Sequence, residues 1–228
     1  QRVLIDNRGG AGGVLGSDIV AKSPADGHTL LLCTTGNAIN VSLVPNLPYD
    51  IRKDFAPVSM VAIITSILVV HPSLPVKSVP EFVRLAKARP GAINYGSGGH
   101  GASSHLAVEL FAKTAGVDLV HVAYKGGGPT LTAALAGEVD FTFATLTTSK
   151  QQIEAGRLRP LAVTIARPIK EYPQLPTLKS MYPDFESDNW FGVFVPAKMP
   201  RDLLMRIHGG MVEAIKAFSG QYPRSEER

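Results

Sequence analysis

Residues 94–111 read NYGSGGHGASSHLAVELF, and the fold class follows from how this stretch changes character. It opens inside INYGS, residues 93–97, which has the length and composition of a buried strand. From Ser97 to Ser104 glycines and serines make a loop. Ala102 to Thr114 then carries Leu106, Leu110 and Phe111 at helical spacing, and Gly116 ends the pattern. Strand, glycine loop and helix in that order make one unit of an α/β fold with mostly parallel sheets.

The same order recurs on both sides. VDLVHVAY (117–124) reads as a strand, and KGGGPTLTAALAGEVD (125–140) as a second glycine loop feeding a helix with Pro129 near its first turn. DFTFATL (140–146) alternates as a strand, SKQQIEAGRL (149–158) is a short helix, and RPLAVTI (159–165) is a strand. Upstream, Val3 to Ile5 reads as a strand, NRGGAGG (7–13) as a loop and Val14 to Lys22 as a helix. DGHTLLLCTTG (26–36) reads as turn, strand and turn. Ser78 to Ala88 is the clearest helix: Ser78 and Glu81 have capping-box spacing, Pro80 sits in the first turn, and Phe82, Leu85 and Ala86 share a face. PIKEYPQLPTLKSMYPDF (168–185) is a proline-rich ordered connection and NWFGVFVP (189–196) a strand. Residues 200–218 form a helix weakened by Gly209 and Gly210, and 219–228 a frayed polar tail.

Composition bounds the function. The 228 residues are 45% hydrophobic and 18% charged, as in a folded globular protein. The longest apolar run, Val58 to Val70, is interrupted by serines and a threonine and is too short to span a membrane. The net charge of +4 is scattered along the chain, with no basic stripe or module of the kind nucleic-acid binding needs. Cys33 is alone, so neither an internal disulfide nor a cysteine metal site can form. No signal peptide opens the sequence, and a chain that begins in mid-strand is expected to continue a longer one.

Glycine loops that lead from strand to helix let a backbone approach a ligand, and the first N–H groups of each helix have no internal acceptor. Such an end attracts a carboxylate or phosphate. Gly9 to Gly13, Ser97 to Ser104 and Gly126 to Thr130 are three candidate anion cradles. GGAGGVLG (9–16) has a superficial likeness to a dinucleotide loop but lacks the acidic residue that a ribose requires, and no Walker lysine follows any of the glycines. No cofactor is implied. No G-x-S-x-G elbow and no H-x-x-x-H pair enclosing a glutamate is present, so neither a catalytic nor a metal-binding set is expected. His105, one turn into its helix, is placed to cap the loop. His71 and His121 lie in strand-like runs.

Several motifs in one order resemble a known family. YGSGGHGASSHLAVELF (95–111), HVAYKGGGPTLTAALAGEVDFTF (121–143), GRLRPLAVT (156–164), LPTL (175–178) and WFGVFVPAKMP (190–200) are similar to the tripartite tricarboxylate transporter substrate-binding proteins, or Bug family. NRGGAGGVLGSDIVAKSPADGHTLLL (7–32) and LPYDIRKDFAPVSMVA (47–62) fit the same pattern, so the resemblance covers about Val3 to Ile215. It implies a two-lobed periplasmic binding protein of type II-like fold with a hinge, non-enzymatic. Such a protein would hold a small carboxylate (a dicarboxylate, an aromatic acid or an amino acid) and present it to membrane transporter subunits. Lobe 1 would comprise residues 1–72 with 190–228, and lobe 2 residues 73–189. The family pattern carries ligand contacts onto Ser97, Gly98, Gly99, His100, Gly101, Ser103 and Ser104, onto Thr35, Gly36 and Asn37 within TTGNAIN (34–40), and onto Ala144 and Thr145.

Three departures stand beside the resemblance. The family's pattern begins with a further strand, loop and helix and ends with further helices, so this sequence is expected to be a shortened member. Its members often carry Asp or Asn where Ala144 stands and Ser where Ala102 stands. The rival readings are an enzyme that uses the glycine loops to grip an anionic substrate, and a signalling or non-binding fragment.

Overall fold

A computed structural model describes residues 3–8 and 13–221. In chain order the elements are α1 (Val14–Ala21), β1 (Leu31–Thr34), α2 (Thr35–Leu43), β2 (Phe55–Ile64), β3 (Ser66–Val70), α3 (Val79–Ala88), β4 (Asn94–Ser97) and α4 (Ser103–Ala115). There follow β5 (Val120–Ala123), α5 (Gly127–Ala136), β6 (Phe141–Thr145), α6 (Leu146–Glu154), β7 (Arg159–Val163), α7 (Leu178–Met181), β8 (Asn189–Pro196) and α8 (Arg201–Gln221). The chain divides into two compact units, one made of residues 64–189 and the other of the described parts of 1–63 and 190–228.

The unit of residues 64–189 holds a five-stranded sheet of order β5-β4-β6-β3-β7. β4 pairs in parallel with β5 and β6, while β3 pairs antiparallel with both β6 and β7. Four strands therefore share one direction and β3 alone runs against them. Both faces are covered. Leu68 and Val70 of β3 face a cluster with Phe82 of α3 and Phe111 of α4, while Ile67 and Val69 face Ala133 and Ala134 of α5. This explains why ILVV, residues 67–70, reads as an unbroken apolar run: a strand buried on both faces does not alternate.

The second unit is built on a three-stranded sheet of order β1-β8-β2. Val14 and Val20 of α1 pack with Tyr49 and Phe55, and α8 lays Leu203, Leu204, Ile207 and Met211 against Val58, Val193 and Val195. His208 anchors α8 to the sheet, with its Nδ1 2.7 Å from the Val58 carbonyl.

Four local readings need correction. Val3 to Ile5 is no strand: among the described residues nothing pairs with it, and its three side chains are 79–86% exposed. The segment after β1 is no turn, because Thr35 already starts α2. The capping box at α3 is half formed. Ser78 Oγ accepts the Glu81 N–H at 3.3 Å, but the Glu81 carboxylate reaches past Ser78 to accept the Lys77 N–H at 2.7 Å. The proline-rich connection contains the one-turn helix α7, capped by Thr177 Oγ1 on the Ser180 N–H at 3.0 Å. Of the expected Gly9 to Gly13 cradle, residues 9–12 lie outside the described residues, as does the end of the polar tail, and Gly13 caps α1.

Candidate functional site

Three helices begin at one edge of the larger sheet. β4, β5 and β6 point the same way, so their carboxyl ends share an edge, and each leads into the next helix there: β4 into α4, β5 into α5 and β6 into α6. In open α/β sheets this edge is where ligands bind. A cavity of about 380 Å³ lies against the three helix starts. Gly98, Ala102, Ser103 and Ser104 line it at the start of α4, Gly126 to Gly128 and Thr130 at the start of α5, and Ala144, Thr145 and Thr148 at the start of α6. Ser66 and Asn189, near the two ends of the unit, also contribute. Among the described residues no Lys, Arg, His, Asp or Glu lines the cavity. The walls thus present N–H groups, hydroxyls and the positive ends of three helix dipoles without a formal charge.

The loop that carries the first helix start is tied from behind. Ser97 is fully buried; its Oγ accepts the Gly99 N–H and faces the Gly99 carbonyl, both at 3.1 Å, and lies 2.6 Å from His121 Nε2. Ser104 Oγ accepts the Gly98 N–H at 3.1 Å, and the Gly98 carbonyl accepts the Gly126 N–H at 3.1 Å, joining the two glycine loops. His105 Nδ1 accepts the Gly101 N–H at 3.2 Å, the capping role expected of it. Gly99 (φ 126°) and Gly126 (φ 101°) turn the chain through conformations that side chains oppose.

The structure sorts the expected site residues into three groups. Gly98, Ser103, Ser104, Ala144 and Thr145 line the cavity. Ser97, Gly99, His100 and Gly101 do not line it. Three of these four make the bonds that shape the loop, and His100 packs against His105 and His121. Thr35, Gly36 and Asn37 form the first turn of α2 in the other unit. There Asn37 is buried, with Oδ1 accepting the Thr34 N–H and Nδ2 donating to Ser17 Oγ, both at 2.8 Å. Sequence reasoning missed Thr148, Ser66 and Asn189 as cavity residues. TLTTS reads locally as a strand end, and nothing local links residues 66 and 189.

Two titrating groups lie away from the cavity walls. Burial pushes the Cys33 thiol up to about 11, against a weaker lowering by the backbone of Thr34. Burial, together with the Glu109 carboxylate that its hydroxyl donates to, holds the Tyr95 phenol well above the ordinary range.

Residues 1–220 match the family described as "Tripartite tricarboxylate transporter family receptor". The chain belongs to that family. It is 38% identical over 219 residues to the UPF0065 protein of the tcbD–tcbE intergenic region in Pseudomonas sp. strain P51, covering 95% of this chain and 65% of that one. Among solved structures, R. palustris Rpa4515 with adipate is 37% identical at a TM-score of 0.85, over 95% of this chain and 72% of that one. MatC from Rhodopseudomonas palustris with bound malate is 27% identical at a TM-score of 0.80, over 90% and 70%. The chain spans less than two thirds of the length of the Pseudomonas relative. It has the periplasmic binding-protein α/β fold, and its family is one of receptors rather than enzymes. Among the described residues no helix is long and apolar enough to cross a membrane.

Proposed function

We propose that this chain is the ligand-holding part of a periplasmic receptor that captures a small dicarboxylate and delivers it to a membrane transporter. One carboxylate of the ligand sits on the starts of α4, α5 and α6. The observation that carries this reading is the convergence of three helix N-termini on one cavity whose described lining residues carry no charge. A carboxylate there receives charge-assisted hydrogen bonds from backbone N–H groups and from the Ser103 and Thr148 hydroxyls, and these gain strength where water is excluded. The adipate and malate held by two relatives support the choice of ligand class, since both are aliphatic dicarboxylates.

The test is thermal unfolding of the chain with adipate, malate, benzoate and glutamate, and with the uncharged diamide of adipic acid. A ligand that binds only the folded form raises the midpoint. At least one dicarboxylate is expected to raise it and the diamide to leave it unchanged; a flat response to every acid, or an equal response to the diamide, overturns the reading. Gly127→Pro locates the site. Proline is accepted at the first position of a helix, so the variant deletes one N–H at the start of α5 at little cost to folding. Affinity for the responding acid is expected to fall about tenfold or more, because a hydrogen bond to a charged group contributes about 1.5–3 kcal/mol.

A further inference from the structure

Behind the cavity loop lies a second constellation that the carboxylate reading does not use. His100 comes from the loop, His105 from the first turn of α4 and His121 from β5, and one ring nitrogen from each lies within 4.8 Å of the other two. His105 and His121 stack at 4.1 Å between centroids, while His100 stands edge-on at 4.9 Å to His121 and 5.7 Å to His105. None of the three lines the cavity.

We propose that His100, His105 and His121 form a binding site for a divalent transition-metal ion of the zinc class. An all-imidazole set suits zinc, nickel or copper rather than calcium or magnesium, which prefer oxygen. Three protein nitrogens with water in the fourth position is a recurrent zinc arrangement. Zinc–nitrogen bonds of about 2.0–2.1 Å place tetrahedral ligands about 3.3 Å apart, so exposed His100 must swing inward and the stacked His105 and His121 rings must tilt apart for their in-plane lone pairs to converge. Metal-binding histidines usually have their other nitrogen fixed by an oxygen. Here Ser97 Oγ holds His121 Nε2 at 2.6 Å, whereas Glu109 Oε1, itself held by the Tyr95 hydroxyl, lies 4.0 Å from His105 Nε2, too far for a hydrogen bond without a shift of the ring. Metal on Nδ1 of His105 would displace the 3.2 Å bond from the Gly101 N–H, a modest loss. Burial lowers the pKa of both His105 and His121, keeping them in the neutral form that ligates metal.

The experiment uses the full chain, stripped with a chelator and titrated with Zn2+ in thermal unfolding and with Co2+ in visible absorption. One equivalent of Zn2+ is expected to raise the unfolding midpoint, and Co2+ to show the absorption bands of a four-coordinate nitrogen site. His100→Ala removes an exposed ligand without disturbing the core and is expected to weaken both responses about tenfold or more, while His28→Asn, in the other unit, leaves them intact. No response in the parent chain, or the same response in His100→Ala, overturns the site. Carboxylate binding enters neither readout, so the two proposals fail separately.

Discussion

At the scale of single residues, the tightest constraint on the cavity sits beneath it. A Cβ on Gly96 would lie 2.9 Å from Thr130 Cγ2 and 3.2 Å from Val139 Cγ2. Thr130 has no room to turn away: it is buried, and its hydroxyl donates to the Gly126 carbonyl at 2.8 Å. Gly96→Ala is therefore expected to destabilise the chain by about 1–3 kcal/mol, as overpacking does, with the loss read from urea unfolding. A midpoint within error of the parent would show that α5 yields at no cost. Cys33 gives a second check. It is fully buried and its thiol is pushed up to about 11, so a thiol reagent at pH 8 should label it only after denaturation. Rapid labelling of the native chain would contradict this burial. Ser97 and Asn37 show what sequence leaves out at this scale. Both have the right type and place for ligand contacts, yet whether a side chain faces ligand or scaffold depends on partners such as His121 and Ser17, 24 and 20 residues away.

At the scale of elements, the repeated strand, glycine loop and helix was legible because each boundary has local chemistry: Ser78 at the start of α3, Gly116 after α4, Gly137 after α5. What stayed hidden is non-local. The apolar run at 58–70 conceals the change from β2 to β3 around Thr65, and no periodicity announces that β3 inserts between β6 and β7. The α6 start escaped notice for the same reason, since its role comes from the edge that β6 shares with β4. α8 makes the opposite point, because packing overrides propensity: the helix runs unbroken through Gly209 and Gly210. Both glycines are exposed, and a Cβ on either would meet nothing within 4 Å. Changing each to alanine is expected to stabilise by about 0.5–1 kcal/mol, visible as a higher thermal midpoint in the single and again in the double variant. A fall would mean that the helix needs the freedom of these glycines.

At the scale of the whole molecule, the chain's two units differ in how they are made. One is assembled from two separated stretches of sequence, whereas residues 64–189 form a single continuous segment. That segment contains all five strands of its sheet, apolar clusters on both faces, the cavity, and the two chain positions Ser66 and Asn189 that help to line it. A continuous segment with its own core satisfies the conditions for an independent domain. Residues 64–189 expressed alone are therefore expected to unfold in one cooperative step by circular dichroism. The three helix starts that would hold the anion are all inside the segment, so it should also respond to the dicarboxylate that stabilises the full chain. A non-cooperative melt would show that the core depends on the other unit. A cooperative fragment blind to that acid would leave the independent core standing and remove the anion from the α4, α5 and α6 starts, because every described lining residue of that cavity lies inside the segment.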